Sequence, residues 1–169
     1  MKKAIAIISV LLSVSLCVGG LVSCGDDSSD ATKDGVSSVA VNVDLSAVYG
    51  KIIDGASFPD MYTMSDDYIE SYYGLTSEFM EDKVFAVAED ALLADTVAIV
   101  KVPAGVDISI VENAFKTVND QKKLELESYN PEQYARVDKA AIKTFGQYVC
   151  YIVSDDNDAV LKIIESNIA

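Results

Sequence analysis

Two pairs of apolar segments, each followed by a segment with helical periodicity, most constrain the fold of this chain. Residues 83–89 and 96–102 are rich in β-forming side chains. The six residues between them are too few for a helical crossover, so the two segments predict an antiparallel pair. Residues 136–145 and 147–153, on either side of Gly146, predict a second and tighter hairpin.

Each predicted hairpin precedes a predicted helix. The first helix begins at Asp107, or one turn later at a capping box of Ser109 and Glu112, and ends before Pro131. Ser154 is the predicted cap of the second helix, which has apolar residues at three- and four-residue spacing. Two such strand–strand–helix units predict an α+β fold, with a four-stranded antiparallel sheet and helices packed on one face.

Short helices are predicted before the first hairpin. Asp44 is the predicted cap of one that ends near Gly55, and a second lies between Ser65 and Gly74. The length of the chain and its content of large apolar residues suit one hydrophobic core. We therefore predict a single α+β domain over residues 44–169.

The N-terminal segment looks like a bacterial lipoprotein signal. Lys2 and Lys3 precede the apolar residues 4–18, and Leu-Val-Ser-Cys follows at positions 21–24. We expect cleavage between Ser23 and Cys24, with a diacylglycerol thioether and an N-acyl chain on Cys24. This predicts a protein that is lipid-anchored at the extracytoplasmic face of the cell membrane.

Two other interpretations of this segment are an uncleaved transmembrane helix over residues 4–22 and a secretory signal cut elsewhere. The glycine pair at 19–20 disfavours a spanning helix, and Cys24 stands where lipidation needs it. We therefore predict a lipoprotein signal peptide over residues 1–23. Residues 24–43 are predicted to be the lipidated cysteine and a disordered acidic tether, because few apolar side chains are available there to offset the entropy of ordering.

Acidic charge limits the partners of the protein. The formal net charge is −14, and cleavage would remove two lysines and no acid, which gives −16. Such a field repels nucleic acid, and Arg136, the only arginine, leaves no basic patch for phosphates. We predict no nucleic-acid partner, membrane contact through the lipid anchor, and an envelope protein or glycan as the binding partner.

The chain contains no histidine, which excludes histidine-dependent catalytic triads and histidine-ligated zinc sites. Cys17 leaves with the predicted signal and Cys24 carries lipid, so Cys150 has no partner for an intramolecular disulfide. Cys150 lies in an apolar strand and has no adjacent histidine or arginine, so we predict a buried structural residue. No catalytic residue, cofactor or metal is predicted.

Acidic residues offer two weak candidate sites. Asp155, Asp156 and Asp158 could be drawn as a cation site, but neighbouring residues cannot all turn toward one ion. Helix capping and compensation of the helix dipole are favoured instead. Glu78 and Glu81 are three residues apart, and no apolar pocket is predicted to raise the pKa of either, so a solvated face is favoured over an acid–base pair.

Arg136 is expected to pair with Asp138 or another nearby acid, and the alternative is that it holds a ligand carboxylate. The tyrosines are expected mostly in the core, but a shared exposed patch would favour a protein, glycan or peptide partner. They stand at positions 49, 62, 68, 72, 73, 129, 134, 148 and 151.

Several short motifs resemble one known family. They are the lipobox, Tyr73-Gly74-Leu75, the strand at 96–102 before its helix, Tyr129-Asn130-Pro131-Glu132-Gln133-Tyr134, and the hairpin at 146–149 before Ser154-Asp155. In these motifs and in their order, the chain resembles a bacterial lipoprotein family catalogued as domain of unknown function 4358. The resemblance covers roughly residues 45–164. The resemblance implies an exported, lipid-anchored α+β protein, and it supplies no catalytic residues.

These features predict a non-enzymatic binding or accessory module at the cell envelope. One alternative is a carboxylate-dependent hydrolase or cation-binding enzyme, which a pocket with converging acids near Arg136 would favour. A flat, tyrosine-bearing face of the sheet would favour the binding module. A second alternative is a solute-capture lipoprotein of a transporter, although the small domain shows no two-lobed organisation.

The anchor prediction can be tested by inhibiting signal peptidase II in cells that express the protein. We expect a precursor that keeps its 23-residue signal to accumulate, visible as a larger species on a gel. An unchanged processed size would contradict cleavage before Cys24.

Overall fold

The computed structural model describes residues 43–168, which form five α-helices and five strands. In chain order these are α1 (Leu45–Gly55), β1 (Met61–Thr63), α2 (Asp66–Tyr73), β2 (Asp82–Ala88), β3 (Thr96–Lys101), α3 (Ser109–Leu126), α4 (Pro131–Asp138), β4 (Ala141–Phe145), β5 (Tyr148–Val153) and α5 (Asn157–Ile168). The predicted signal peptide and all but the last residue of the predicted tether lie outside the described residues. None of the helices within 43–168 is both long and apolar enough to cross a bilayer.

The strands form one antiparallel sheet in the order β1-β2-β3-β5-β4. This confirms an α+β fold with an antiparallel sheet and helices ahead of it, but the predicted number of four strands is wrong. The fifth strand is β1, which places Tyr62 opposite Val87 at one edge. With only three residues, β1 is too short to show the alternation by which strands are recognised.

The helices cover both faces of the sheet, so the prediction that they pack on one face is wrong. Helices α1 and α5 pack against side chains such as Ile99 and Cys150. Helices α2, α3 and α4 pack against the opposite face, which includes Val100 and Tyr151. Strands β3 and β5 carry apolar residues at consecutive positions, and such strands need cover on both sides.

Helix α4 occupies the beginning of the segment that was predicted to be a strand from residue 136. Pro131 stands in its first turn, and the Asn130 side chain accepts a hydrogen bond from the backbone N–H of Gln133 at 3.2 Å. The strand itself starts only at Ala141. The sequence does not reveal this helix because Tyr134 and Val137 are its only large apolar side chains, whereas α2, of the same length, has four.

Polar caps fix most of the predicted helix ends. Asp44 accepts hydrogen bonds from two backbone N–H groups of α1, and Gly74 ends α2 with a φ of 67°. Asp107 accepts from the N–H of Ser109 at 2.9 Å, as expected at the start of α3. The predicted cap of α5 is wrong: Asp156, two residues after Ser154, accepts the hydrogen bond of the first turn.

Two glycine substitutions test the backbone of this fold. A β-carbon would meet nothing within 4 Å at either Gly74 or Gly50, so only backbone conformation distinguishes the two sites. We expect Gly74→Ala to lower the free energy of unfolding by about 1–2 kcal/mol, because alanine is strained in the left-handed region. Gly50→Ala, inside α1, should raise it by about 0.5–1 kcal/mol. Urea unfolding measures both, and equal effects would contradict the assigned helix ends.

Candidate functional site

A cleft lined by tyrosines opens beside the β1 edge of the sheet, between α2, α3 and the loop after β2. We call it the tyrosine cleft, and its volume is about 200 Å³. The side chains around it combine aromatic, apolar and charged groups, and the principal ones are Tyr62, Tyr68, Tyr72, Glu89, Leu93 and Lys122. Tyr62 and Tyr68 are 42% and 49% exposed, so much of the aromatic surface faces solvent.

Two of these tyrosine rings are stacked on each other. Tyr68 and Tyr72 are four residues apart on α2, and their rings are nearly parallel, with an angle of 4° and centroids 6.0 Å apart. Tyr72 in turn meets the buried Tyr73 edge to face at 5.2 Å, and Tyr73 packs on Phe85 and Phe115. The exposed Tyr68 is therefore connected through the half-buried Tyr72 to a continuous aromatic path into the core.

The Tyr73 hydroxyl is buried next to this path and has no hydrogen-bond partner within residues 43–168. Burial, followed by the neighbouring Tyr151 and Tyr72, raises the pKa of Tyr73 well above its usual value. Tyr73 therefore stays neutral and serves packing. An unpaired buried hydroxyl costs about 1–3 kcal/mol, which the surrounding aromatic contacts offset.

Lys122 reaches the cleft from α3 as a half-buried cation. Its Nζ donates to the Thr96 hydroxyl at 2.9 Å, and that hydroxyl donates to the Ala94 carbonyl at 2.9 Å. Lys122 takes part in none of the ion pairs among residues 43–168. Burial lowers its pKa to about 8, against the opposing effects of Glu125 and Asp95. A lysine perturbed in this way inside a cleft is typical of functional sites.

Arg136 lies at the centre of a second polar group, the Arg136 cluster, formed with Asp95 and Asp155. Its NH1 contacts both carboxylate oxygens of Asp95, at 2.8 and 2.9 Å, and NH2 contacts Asp155 at 2.6 Å. Arg136 therefore pairs with acids, as predicted, but Asp138 is not one of them, since it pairs with Lys123 at 2.8 Å. The acids that bind the guanidinium are distant from Arg136 in the sequence and are brought to it by the fold.

Asp95 is only 1% exposed at the start of β3. Burial raises the pKa of its carboxyl group, and the guanidinium of Arg136 partly offsets that rise. A neighbouring contact fixes the same loop: the Gln133 side chain accepts from the N–H of Ala94 at 2.8 Å. Helix α4 thus holds the turn that leads into β3 through two residues, Gln133 and Arg136.

A shallow cavity of about 200 Å³ adjoins the Arg136 cluster and includes Ser154, Asp155 and Asn157. Acids therefore do converge near Arg136, as the hydrolase alternative requires. Both Asp95 and Asp155 are bound to the guanidinium, however. The Ser154 hydroxyl donates to the amide oxygen of Asn157 at 3.0 Å, and an amide does not act as a general base.

The other acidic candidates are separated in the structure. Asp155 pairs with Arg136, whereas Asp156 caps α5. Glu78 accepts from Thr76, and Glu81 pairs with Lys101. In the described part of the chain, no three acidic or cysteine side chains are grouped as metal ligands would be, Asp155, Asp156 and Asp158 included.

Cys150 is fully buried in β5, as predicted. Burial raises the pKa of its thiol to about 12, so almost no reactive thiolate exists at neutral pH. Cys24, the predicted lipidation site, lies outside the described residues.

Sequence analysis did not single out Lys122 or Asp95. A signal for Lys122 was present, because it follows Phe115 by seven residues and Val118 by four, on the core-facing stripe of its helix. A lysine on such a stripe indicates either an ion pair or a functional cation. No comparable signal marks Asp95, whose burial depends on the distant Arg136.

Together these features define a small α+β domain with one tyrosine-lined cleft and one saturated ion-pair cluster. Residues 54–154 match the family model described as Domain of unknown function (DUF4358), and the chain belongs to that family. The predicted family membership is thereby confirmed. No curated protein and no solved structure shows a significant match to the chain.

Removal of the Arg136 guanidinium tests whether the cluster is structural. Arg136→Met leaves the buried Asp95 carboxylate without its counter-ion, so we expect the free energy of unfolding to fall by about 3–5 kcal/mol. Lys123→Met breaks the more exposed pair with Asp138 and should cost less than about 1 kcal/mol. Urea unfolding compares the two, and losses of equal size would show that the Asp95 pair does not hold the fold.

Proposed function

We propose that this protein is a lipid-anchored binding or accessory module at the extracytoplasmic face of the cell membrane, and that its ligand enters the tyrosine cleft. The observation that carries the proposal is the clustering of three tyrosines around one cavity, the exposed Tyr62 and Tyr68 and the half-buried Tyr72. Tyrosine is enriched at recognition surfaces because its ring is apolar and its hydroxyl forms hydrogen bonds.

The rigidity of the ring pair supports binding more than simple exposure would. Tyr68 and Tyr72 are stacked on each other and backed by Tyr73, so little side-chain freedom remains to be lost when a ligand binds. Immobilising a freely rotating side chain at an interface costs about 0.5–1.5 kcal/mol. A surface that is ordered beforehand avoids much of this cost.

The anchoring part of the proposal rests on the sequence pattern that ends at Cys24. A flexible chain of twenty residues, the length of segment 24–43, has a mean span of about 25 Å, and like charges extend it further. Such a tether would hold the cleft clear of lipid headgroups while restricting it to the envelope. The ligand is accordingly sought among envelope proteins, glycans and small molecules.

The enzymatic alternative, a carboxylate-dependent hydrolase or cation-binding enzyme, would use the cavity beside Arg136. It is less well supported because Asp95 and Asp155 already neutralise the guanidinium, and Ser154 is bonded to an amide. The alternative of a solute-capture lipoprotein would also use the tyrosine cleft. It is less well supported because residues 43–168 form one sheet with helices on both faces, without the two lobes that usually close around a captured solute.

Photo-crosslinking in intact cells tests the binding proposal. A photoreactive phenylalanine analogue replaces Tyr68 in one strain and Lys162 in a control strain, where it sits exposed on α5 at the opposite face of the sheet. We expect a covalent adduct, seen by mass spectrometry or as a shifted band, from position 68 only. No adduct at 68, or equal adducts at both positions, would contradict the use of the tyrosine cleft as a binding site in the cell envelope.

A further inference from the structure

We infer that the tyrosine cleft binds a single-ring ligand that carries one carboxylate, with the ring against Tyr68 and Tyr72 and the carboxylate against Lys122. This inference rests on the proposed function and names the chemical class of its ligand. Two independent features carry it, namely the shape of the aromatic surface and a half-buried cation that lacks an ion pair.

Size and surface favour one ring. A cavity of about 200 Å³ is smaller than the ~300–1,000 Å³ that holds drug-sized ligands, so an extended peptide or oligosaccharide would not be enclosed. The rings of Tyr68 and Tyr72 are parallel and stacked, Tyr72 meets the buried Tyr73, and Tyr68 is the more exposed ring of the pair. A flat ring, either a sugar or an aromatic ring, can pack on the face of a tyrosine that is held in this way.

The hydrogen bonds of Lys122 favour an anionic group. An ammonium group has three donors, and only one of them is used within residues 43–168, by the Thr96 hydroxyl. Partial burial without a counter-ion is unfavourable for this charge, and an incoming anion would remove that penalty. Glu125 and Asp95 are the acids whose charges most affect the pKa of Lys122, but neither forms an ion pair with its ammonium group.

The surrounding charges favour a monoanion over a phosphate. Lys122 is the one cation among the residues that line the cleft, and Glu89 lines the same cavity. The mature chain would carry a formal net charge of −16, which adds a repulsive field. One carboxylate matches one ammonium group, whereas a phosphate near −2 would leave an uncompensated charge beside Glu89.

Paired ligands test the inference on the mature chain. Glucuronate with glucose, and benzoate with benzamide, each compare an acid with a neutral molecule that has the same kind of ring. Titration followed by NMR shifts of the cleft backbone amides, such as those of Ala88 and Leu93, measures the affinities. We expect at least one acid to bind about tenfold more tightly than its neutral partner. Whichever of the two ligand pairs shows the preference for the acid tells whether the ligand is a sugar acid or an aromatic acid.

Substitution of the cation provides the matched variant. Lys122→Met keeps the apolar stem and removes the charge, and it should abolish the preference for the acid while leaving the neutral partner unchanged. Lys162→Met, on the opposite face, should keep the preference. An acid preference that survives in Lys122→Met, or its absence from both arms in the native chain, would overturn the inference.

The pH dependence of the native chain gives the same information without a variant. With a pKa of about 8, Lys122 loses most of its charge between pH 7 and pH 9, so affinity for the acid should fall about tenfold over that range. The other titratable groups that face it are Glu89, Asp95, Glu125, Tyr62, Tyr68 and Tyr72.

The two proposals fail in different ways. A crosslink at position 68 together with equal binding of acid and neutral ligands would preserve the binding module and remove Lys122 as the counter-ion. The absence of a crosslink, combined with an acid preference that depends on Lys122, would preserve the cleft chemistry and contradict its use in the cell envelope.

Discussion

The pairing of β3 with β5 holds the two hairpins in one sheet, and the rest of the described structure depends on it. Six register pairs, from Thr96 opposite Val153 to Lys101 opposite Tyr148, join segments that are far apart in the chain. Both strands are buried on both faces, and their side chains take part in the hydrophobic core on each side of the sheet. Because the pairing is non-local, its loop-closure entropy must be offset by apolar contacts on the two faces.

Local patterns predicted much of the fold, and non-local packing accounts for the rest. The caps Asp44 and Gly74 and the turn at Gly146 mark element boundaries by local chemistry, and these agree with the structure. The number of layers was predicted wrongly because the helices were assigned to one face, although the consecutive apolar residues of β3 and β5 require two. Strand β1 is too short to reveal a period, and helix α4 has too few large apolar side chains to show one.

The candidate site was harder to predict because it forms where distant segments meet. Tyr68 and Tyr72 share a helix face, a relation that the sequence shows, whereas Tyr62 and Lys122 join them only through the sheet and α3. Thr96 at the start of β3 accepts from Lys122, and its neighbour Asp95 binds Arg136. One end of a central strand therefore connects the tyrosine cleft with the Arg136 cluster, through residues separated by up to forty-one positions.

The edges of the sheet bear on how such molecules behave when many copies share a surface. Strand β1 offers only three residues, and β4, at the other edge, presents the exposed Lys143 and Thr144. Short edges and outward lysines discourage strand-to-strand joining between copies. Under the proposed anchoring, diffusion is confined to two dimensions and collisions between neighbours are frequent. These blunt edges would then let the domain remain crowded on a membrane without polymerising.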